Sequence, residues 1–198
     1  MELLKKRILV YGIALIIGLV YVWILYLSIF DVHANDYYIN YYITEESRYY
    51  LADGELEQYT SNNIFSYTTG SDNYRNLGIG WNNDIENYGV WSLSGDNTLL
   101  FYDEEVDYSK NYTLYLNTSS SLDYSREIYI NGSYIGDFVL DSNGAMYLSF
   151  DADCLADGCN TIEIITEDEV VPAYEKLEGA TDTRTLNFML EEAEIIEE

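Results

Sequence analysis

Glu127-Ile128-Tyr129-Ile130-Asn131-Gly132-Ser133-Tyr134-Ile135-Gly136 is the stretch that decides the fold. Ile128 and Ile130 alternate with Glu127 and Tyr129, the two-residue period of a strand with one buried face. Asn131-Gly132 then precedes a second run, Tyr134 to Leu140. Asn-Gly accepts the positive φ angles of a two-residue hairpin turn, so the stretch predicts an antiparallel hairpin. The pattern spreads outward. Asp141-Ser142-Asn143-Gly144 is a second turn signal, feeding Ala145 to Phe150, where Met146, Leu148 and Phe150 alternate with Tyr147 and Ser149. Asp157-Gly158 is a third, feeding Asn160 to Thr166, and the three connections read as a meander. Upstream, Leu114 and Leu116 alternate with Thr113 and Tyr115, and Thr98 to Tyr102 and Thr185 to Leu190 complete the set. Short half-buried strands at such intervals predict an all-β fold, an antiparallel two-sheet, jelly-roll-like sandwich over residues 76–198.

The chain has 198 residues, 48% hydrophobic and 22% charged, enough for one domain with a core. From Ile8 to Phe30 no charged residue occurs, a run long enough to cross a bilayer as a helix. Lys5, Lys6 and Arg7 precede it and Asp31 follows. The positive-inside rule therefore predicts a cytoplasmic tail over 1–7, a transmembrane helix over 8–30 and an extracytoplasmic remainder. Tyr21, Trp23 and Tyr26 stand in its outer half, as interfacial anchors or as lipid-facing bulk. A signal peptide cleaved after Ala34 is the rival reading; the length of the run favours an uncleaved anchor in the cell membrane. Residues 31–75, with Tyr37-Tyr38-Ile39, Tyr41-Tyr42-Ile43 and Tyr49-Tyr50-Leu51, read as a tyrosine-rich stalk or as edge strands. The acidic end, Glu191 to Glu198, is either the last strand running on or a solvated tail.

Beyond residue 30 there are 6 basic and 34 acidic side chains. Such a surface excludes a nucleic-acid partner, which needs a basic face. Cys154 and Cys159 bracket four residues, and outside a membrane that spacing predicts a small disulfide loop. His33, the single histidine, lies at the membrane edge, which leaves no histidine-based catalytic pair and no zinc spacing. Asp151, Asp153 and Asp157 depart from the calcium-loop pattern; a solvated acidic loop is the preferred reading, with calcium as an alternative that would relieve the repulsion among carboxylates.

The most distinctive passage is Gly80-Trp81-Asn82, Glu86, Gly89 and Trp91-Ser92, followed by Leu99-Leu100-Phe101. Ile128-Tyr129-Ile130-Asn131-Gly132, Gly158-Cys159-Asn160-Thr161-Ile162 and Asp182-Thr183-Arg184-Thr185-Leu186 follow in order. Together they resemble the extracytoplasmic β-sandwich domains attached to bacterial membrane phosphoglycerol transferases and some envelope glycosyltransferases. The large catalytic portion of those enzymes has no counterpart here. The resemblance therefore implies an accessory sandwich domain and not the transferase activity.

Trp81 and Trp91 read either as platforms on which sugar rings stack or as packing; packing is preferred for Trp91, and Trp81 stays open. Arg184 pairs with Asp182 or Glu86, or grips an anionic head group such as a glycerol phosphate. Tyr115, Tyr129 and Tyr147 offer an amphipathic strand face for glycan or protein, or simply fill pleated surface. The functional expectation is a non-catalytic module that recognises cell-envelope saccharide or glycerol-phosphate polymer beside a membrane transferase, with Trp81, Trp91, Arg184 and Glu86 as its site. The alternatives are a protein-interaction domain docking a membrane partner and a two-carboxylate glycoside hydrolase.

Overall fold

The computed structural model describes residues 11–12, 14–24, 26, 55–71, 73–93, 95–122, 124–138, 144–176 and 178–198. Two units are distinct, residues 1–35 and 36–198. In the first, residues 11–12, 14–24 and 26 are helical and exposed, and Trp23 stacks on Tyr26 with centroids 6.0 Å apart. This helix covers the middle of the expected 8–30 span. Among the described residues no helix is long and apolar enough to cross a membrane, and residues 8–10, 13, 25 and 27–30 lie outside them. His33, Ala34 and the tyrosine pairs between 37 and 50 also lie outside the described residues.

The second unit is a sandwich of two antiparallel sheets. Its strands are β1 (Phe65–Ser66), β2 (Trp81–Glu86), β3 (Gly89–Ser92), β4 (Asp96–Asp103), β5 (Asn111–Ser121), β6 (Arg126–Ile130), β7 (Ser133–Asp137), β8 (Ala145–Asp151), β9 (Gly158–Thr166) and β10 (Phe188–Glu197). One sheet has the order β2-β3-β10-β5-β8, with β1 also paired to β10; the other has the order β4-β9-β6-β7. Leu114, Leu116, Phe188, Leu190, Ala193 and Ile195 of the first meet Leu99, Ile128, Ile130, Ile162 and Ile164 of the second in one core. Removing such apolar area from water is the main stabilising contribution, roughly 25 cal/mol per Å².

The predicted hairpin is present. Ile130 stands opposite Ser133 across Asn131 (φ 50°) and Gly132 (φ 77°). The Asn131 side chain does more than turn the chain: its amide donates to the Cys154 carbonyl and to Asn160 Oδ1, and its oxygen accepts from Thr161 N–H at 2.9 Å. The meander, in contrast, is not formed. β8 pairs with β5 in the first sheet, while β9 returns to lie between β4 and β6 in the second. Chain neighbours thus alternate between layers, because β8 buries Met146 and Phe150 from the opposite side of the core.

β10 begins at Phe188, three residues later than the strand predicted from Thr185, and runs on through the acidic end. The delay has a cause: Asn187 is spent inside, its backbone bonded to Ser92 and Leu122 and its side chain to Arg126 and Thr166. Register shifts around Leu190 then reset the parity, so that Ala193 and Ile195 point inward while Glu192 and Glu194 point out. Of the stretch 31–75, the described part joins the sandwich. Leu56, Tyr59, Phe65 and Tyr67 are buried in the main core, and β1 extends the sheet beside β10.

No disulfide joins Cys154 and Cys159; both are half-buried thiols. Cys154 ends a 3-10 turn (Ala152–Cys154), whereas Cys159 lies in β9 opposite Tyr102, and both pack against the core. The intervening loop is closed by Asn160 instead. Its Oδ1 accepts from Ala156 N–H at 2.8 Å and its amide donates to the carbonyls of Ala156 and Gly158. Burial, with Asp151 nearby, pushes the Cys154 thiol up, away from the reactive thiolate.

Candidate functional site

Trp81, which the sequence left open between ligand platform and packing, is a core residue. It is 5% exposed, its indole N–H donates to the Thr98 carbonyl at 2.7 Å, and its ring meets Phe188 edge-on at 5.5 Å. Both faces of that ring are therefore unavailable to a soluble ligand. Trp91 is half-buried against a smaller apolar cluster of Leu122, Tyr124, Ala173 and Leu186. Gly89 has φ +139°, and a Cβ there would stand 2.3 Å from the Leu190 carbonyl oxygen, so the glycine is dictated by β10 passing beside it. Ser92 donates to Asn97 in the interior.

Arg184 and Glu86 are brought together, as the sequence allowed, in an ion-pair triad. Arg184 Nη1 donates to Glu86 at 2.9 Å, and Nε and Nη2 grip Asp182 at 2.8–3.1 Å. Asp182 and Glu86 hold the guanidinium well above its usual range, and hydrogen bonds from Arg184 hold Asp182 below its own. The fork is occupied by its own chain, which pins the 182–185 loop to β2. Trp81 is thus withdrawn from the surface, whereas Trp91 is half-buried and Glu86 and Arg184 stay partly exposed in their ion pair.

The acidic turn is also engaged: Asp157 Oδ1 accepts from Val106 N–H at 2.9 Å, while Asp151 and Asp153 are exposed. Among the described residues no three acidic, cysteine or histidine side chains form a metal-ligand group.

The surface that stands open is the outer face of β5, β8 and β10. Register sets Tyr147, Tyr115 and Glu194 side by side across the three strands, with Asn117 and Glu192 in the row on one side and Ser149, Thr113 and Ile196 in the row on the other. Tyr147 is 61% exposed, and its ring tilts at 39° against Tyr115, centroids 5.0 Å apart. Tyr115 O–H donates to Glu192 at 3.2 Å, and burial followed by that carboxylate pushes the phenol up to about 12. Asn117 donates to Glu191 at 3.3 Å, and Thr113 Oγ1 donates to Glu198 at 2.6 Å while sharing a bond with Ser149. At the end of this strip is an open depression of about 310 Å³ lined by Asn111, Ser149, Phe150, Asp151 and Glu198. Glu194 is shifted up by burial and by Glu192 beside it on the strand. A second ring pair, Tyr129 with Tyr134 on the other sheet, meets edge-on at 65°, each hydroxyl tied to its own carboxylate, Glu127 and Asp137.

Two of these tyrosines were legible as a strand face, but Asn117, Glu191, Glu192, Glu194 and Ser149 were not. Their signal was the every-second-residue spacing Thr113, Tyr115, Asn117 and Tyr147, Ser149, which becomes a surface only once β10 is known to continue beside β5.

No protein-family model and no curated protein sequence matches the chain. Among solved structures it is similar to a family 35 carbohydrate binding module from an environmental isolate (14% identity, 68% of this chain and 82% of that one, TM-score 0.34). It is also similar to the carbohydrate-binding module CBM36 in complex with calcium and xylotriose (14%, 59% and 86%, TM-score 0.31). A third is the beta-D-mannosidase from Dictyoglomus thermophilum (25%, 36% and 8%, TM-score 0.28), of which the chain spans less than a tenth. Likenesses of this size leave the reading of the site to its own geometry.

Proposed function

We propose that the chain is a non-catalytic saccharide-binding module whose binding surface is the outer face of β5, β8 and β10. The observation that carries this is the Tyr147 ring, exposed and braced against Tyr115 on a three-strand face. An aromatic face meets the apolar C–H side of a sugar ring, while ring hydroxyls need short-range donors and acceptors. Asn117, Ser149 and the flanking carboxylates supply both, and the adjoining depression of about 310 Å³ is of the size that takes a small ligand group. Rigid sheet positions hold these groups without an ordering cost on binding.

Residues 8–30, behind Lys5, Lys6 and Arg7, anchor the module to the cell membrane, N-terminus inside, and the sandwich faces the envelope. A membrane transferase is the neighbour that the Gly80–Ser92 resemblance supports. Calorimetric titration of the full chain in non-ionic detergent with a panel of envelope oligosaccharides tests the reading. A saturable heat, with affinity weakened about tenfold in Tyr147→Ala and kept in Arg184→Ala, is expected; a flat response across the panel from folded protein contradicts it.

A further inference from the structure

The charge around the tyrosine strip narrows the ligand. Glu191, Glu192 and Glu194 follow one another on β10, and Asp151 and Glu198 close the depression at the end of the strip. Among the described residues none of these five is paired with a basic side chain. Among the described residues, each cation of the sandwich has a contact of its own. Arg75 pairs with Glu55, Lys110 with Glu197 and Arg184 with Glu86 and Asp182. Arg126 is buried among the Leu122, Tyr124 and Asn187 oxygens, and Lys176 lies over the Tyr124 ring at 4.3 Å. Among the described residues, an anionic polymer approaching this face meets the like charge of Glu191, Glu192 and Glu194, and Lys110, next to Asn111 of the depression, is already paired with Glu197.

Three of the carboxylates each spend one oxygen on a neighbour: Glu192 on Tyr115, Glu191 on Asn117 and Glu198 on Thr113. These bonds fix the headgroups in the sheet surface beside the rings and leave the second oxygen of each to accept from a ligand. Resting on the saccharide-binding reading of this face, we propose that its ligand is a saccharide bearing protonated amino groups, a hexosamine oligomer that is not N-acetylated, rather than a glycerol-phosphate polymer. The tyrosine rings take the sugar faces and the Glu191, Glu192 and Glu194 carboxylates accept from the ammonium groups. A charge-assisted hydrogen bond from N⁺–H to a carboxylate is about twice as strong as a neutral one. Glu194 is held above its ordinary value by burial first and by Glu192 second, and an ammonium group placed beside it offsets both. The carboxylates do not themselves make the site; the exposed ring and the depression do, and the charge selects among sugars.

The test titrates the full chain in non-ionic detergent, at mildly acidic pH, with a β-1,4-linked glucosamine hexamer, its fully N-acetylated counterpart, a glycerol-phosphate polymer and spermine. The amino hexamer is expected to bind about tenfold more tightly than the acetylated one, the scale of one charge-assisted bond. That gap should close at about 1 M salt, where screening acts within about 3 Å, and in the Glu192→Gln/Glu194→Gln double variant. Tyr147→Ala should weaken both hexamers alike. Equal binding of the two hexamers, or tighter binding of the glycerol-phosphate polymer, overturns the amino-sugar proposal and leaves the saccharide reading standing. Spermine binding as tightly as the amino hexamer and unaffected by Tyr147→Ala overturns it too, as plain counterion attraction. Binding of none of the saccharides, by protein whose unfolding transition is intact, overturns the saccharide reading and the proposal with it.

Discussion

The Gly80–Ser92 passage and the β5–β8–β10 face lie in the same sheet and behave oppositely. The first is conspicuous as sequence, with two tryptophans, two glycines and a glutamate that meets a distant arginine; Trp81 and Gly89 are taken up by packing and Glu86 by its ion pair. The second is made of tyrosine, threonine, asparagine, serine and glutamate, residues that any strand might carry, and it is left open. The difference teaches that unusual residues are often unusual because packing leaves no choice. Trp81 has to reach the Thr98 carbonyl, and Gly89 has to let β10 pass. A recognition surface draws on the other half of each strand, the positions that the core does not dictate.

The largest effect that tests this contrast is on stability. Trp81→Ala removes a ring buried between Thr98 and Phe188 and is expected to cost about 3–5 kcal/mol, read by urea unfolding; a loss comparable to that of Tyr147→Ala would erase the distinction between the two regions. Next is affinity. Tyr147→Ala should weaken saccharide binding about tenfold, roughly 1.4 kcal/mol, with its unfolding midpoint little changed. Arg184→Ala should do the reverse on a smaller scale: it breaks an exposed triad, so less than about 1 kcal/mol of stability is lost and binding is retained.

The smallest effect is on pH dependence. Glu194 sits above its ordinary value in the folded chain, so the folded state holds its proton more tightly than the unfolded one. Stability from this group is therefore gained as pH falls toward the ordinary carboxylate value and lost as pH rises through the raised one. Glu194→Gln should flatten that slope in thermal melts taken from neutral to mildly acidic pH. Asp182, held low by Arg184, works in the opposite direction, its contribution present at neutral pH and lost on acidification through its lowered value. A slope unchanged by Glu194→Gln would show that burial and the Glu192 charge do not raise Glu194 in the folded chain.

Much of the fold was readable because strands announce themselves by period and turns by residue type. Asn131-Gly132 predicted its hairpin turn, although the second strand is Ser133–Asp137 and not Tyr134 to Leu140, and Leu114, Leu116, Ile128, Ile130, Met146 and Phe150 were all placed inward. What local pattern does not contain is which sheet a strand joins. The turn before β8 and the turn before β9 look like hairpin turns, yet each is followed by a change of layer, which only the pairing partners β5 and β4 decide. The disulfide failed for a similar reason. Spacing brought Cys154 and Cys159 near in sequence, but Asn160 had already closed that loop and both sulfurs were drawn toward the core. The ion pair of Arg184 with Glu86 was anticipated because a lone arginine among carboxylates has few other places to go. The tyrosine face was half legible: Tyr115 and Tyr147 were visible as outward residues, but their approach across strands depends on a register that no single strand carries.

The central claim is that recognition belongs to the outer face of β5, β8 and β10, and residue-resolved NMR of the ¹⁵N-labelled full chain in detergent, with and without the glucosamine hexamer, tests it most directly. Shifts concentrated at Thr113–Asn117, Tyr147–Ser149 and Glu191–Ile196 are expected, with the Gly80–Ser92 passage and the 182–185 loop unmoved. Shifts centred on Trp91, Glu86 and Arg184, with the tyrosine face silent, would contradict it.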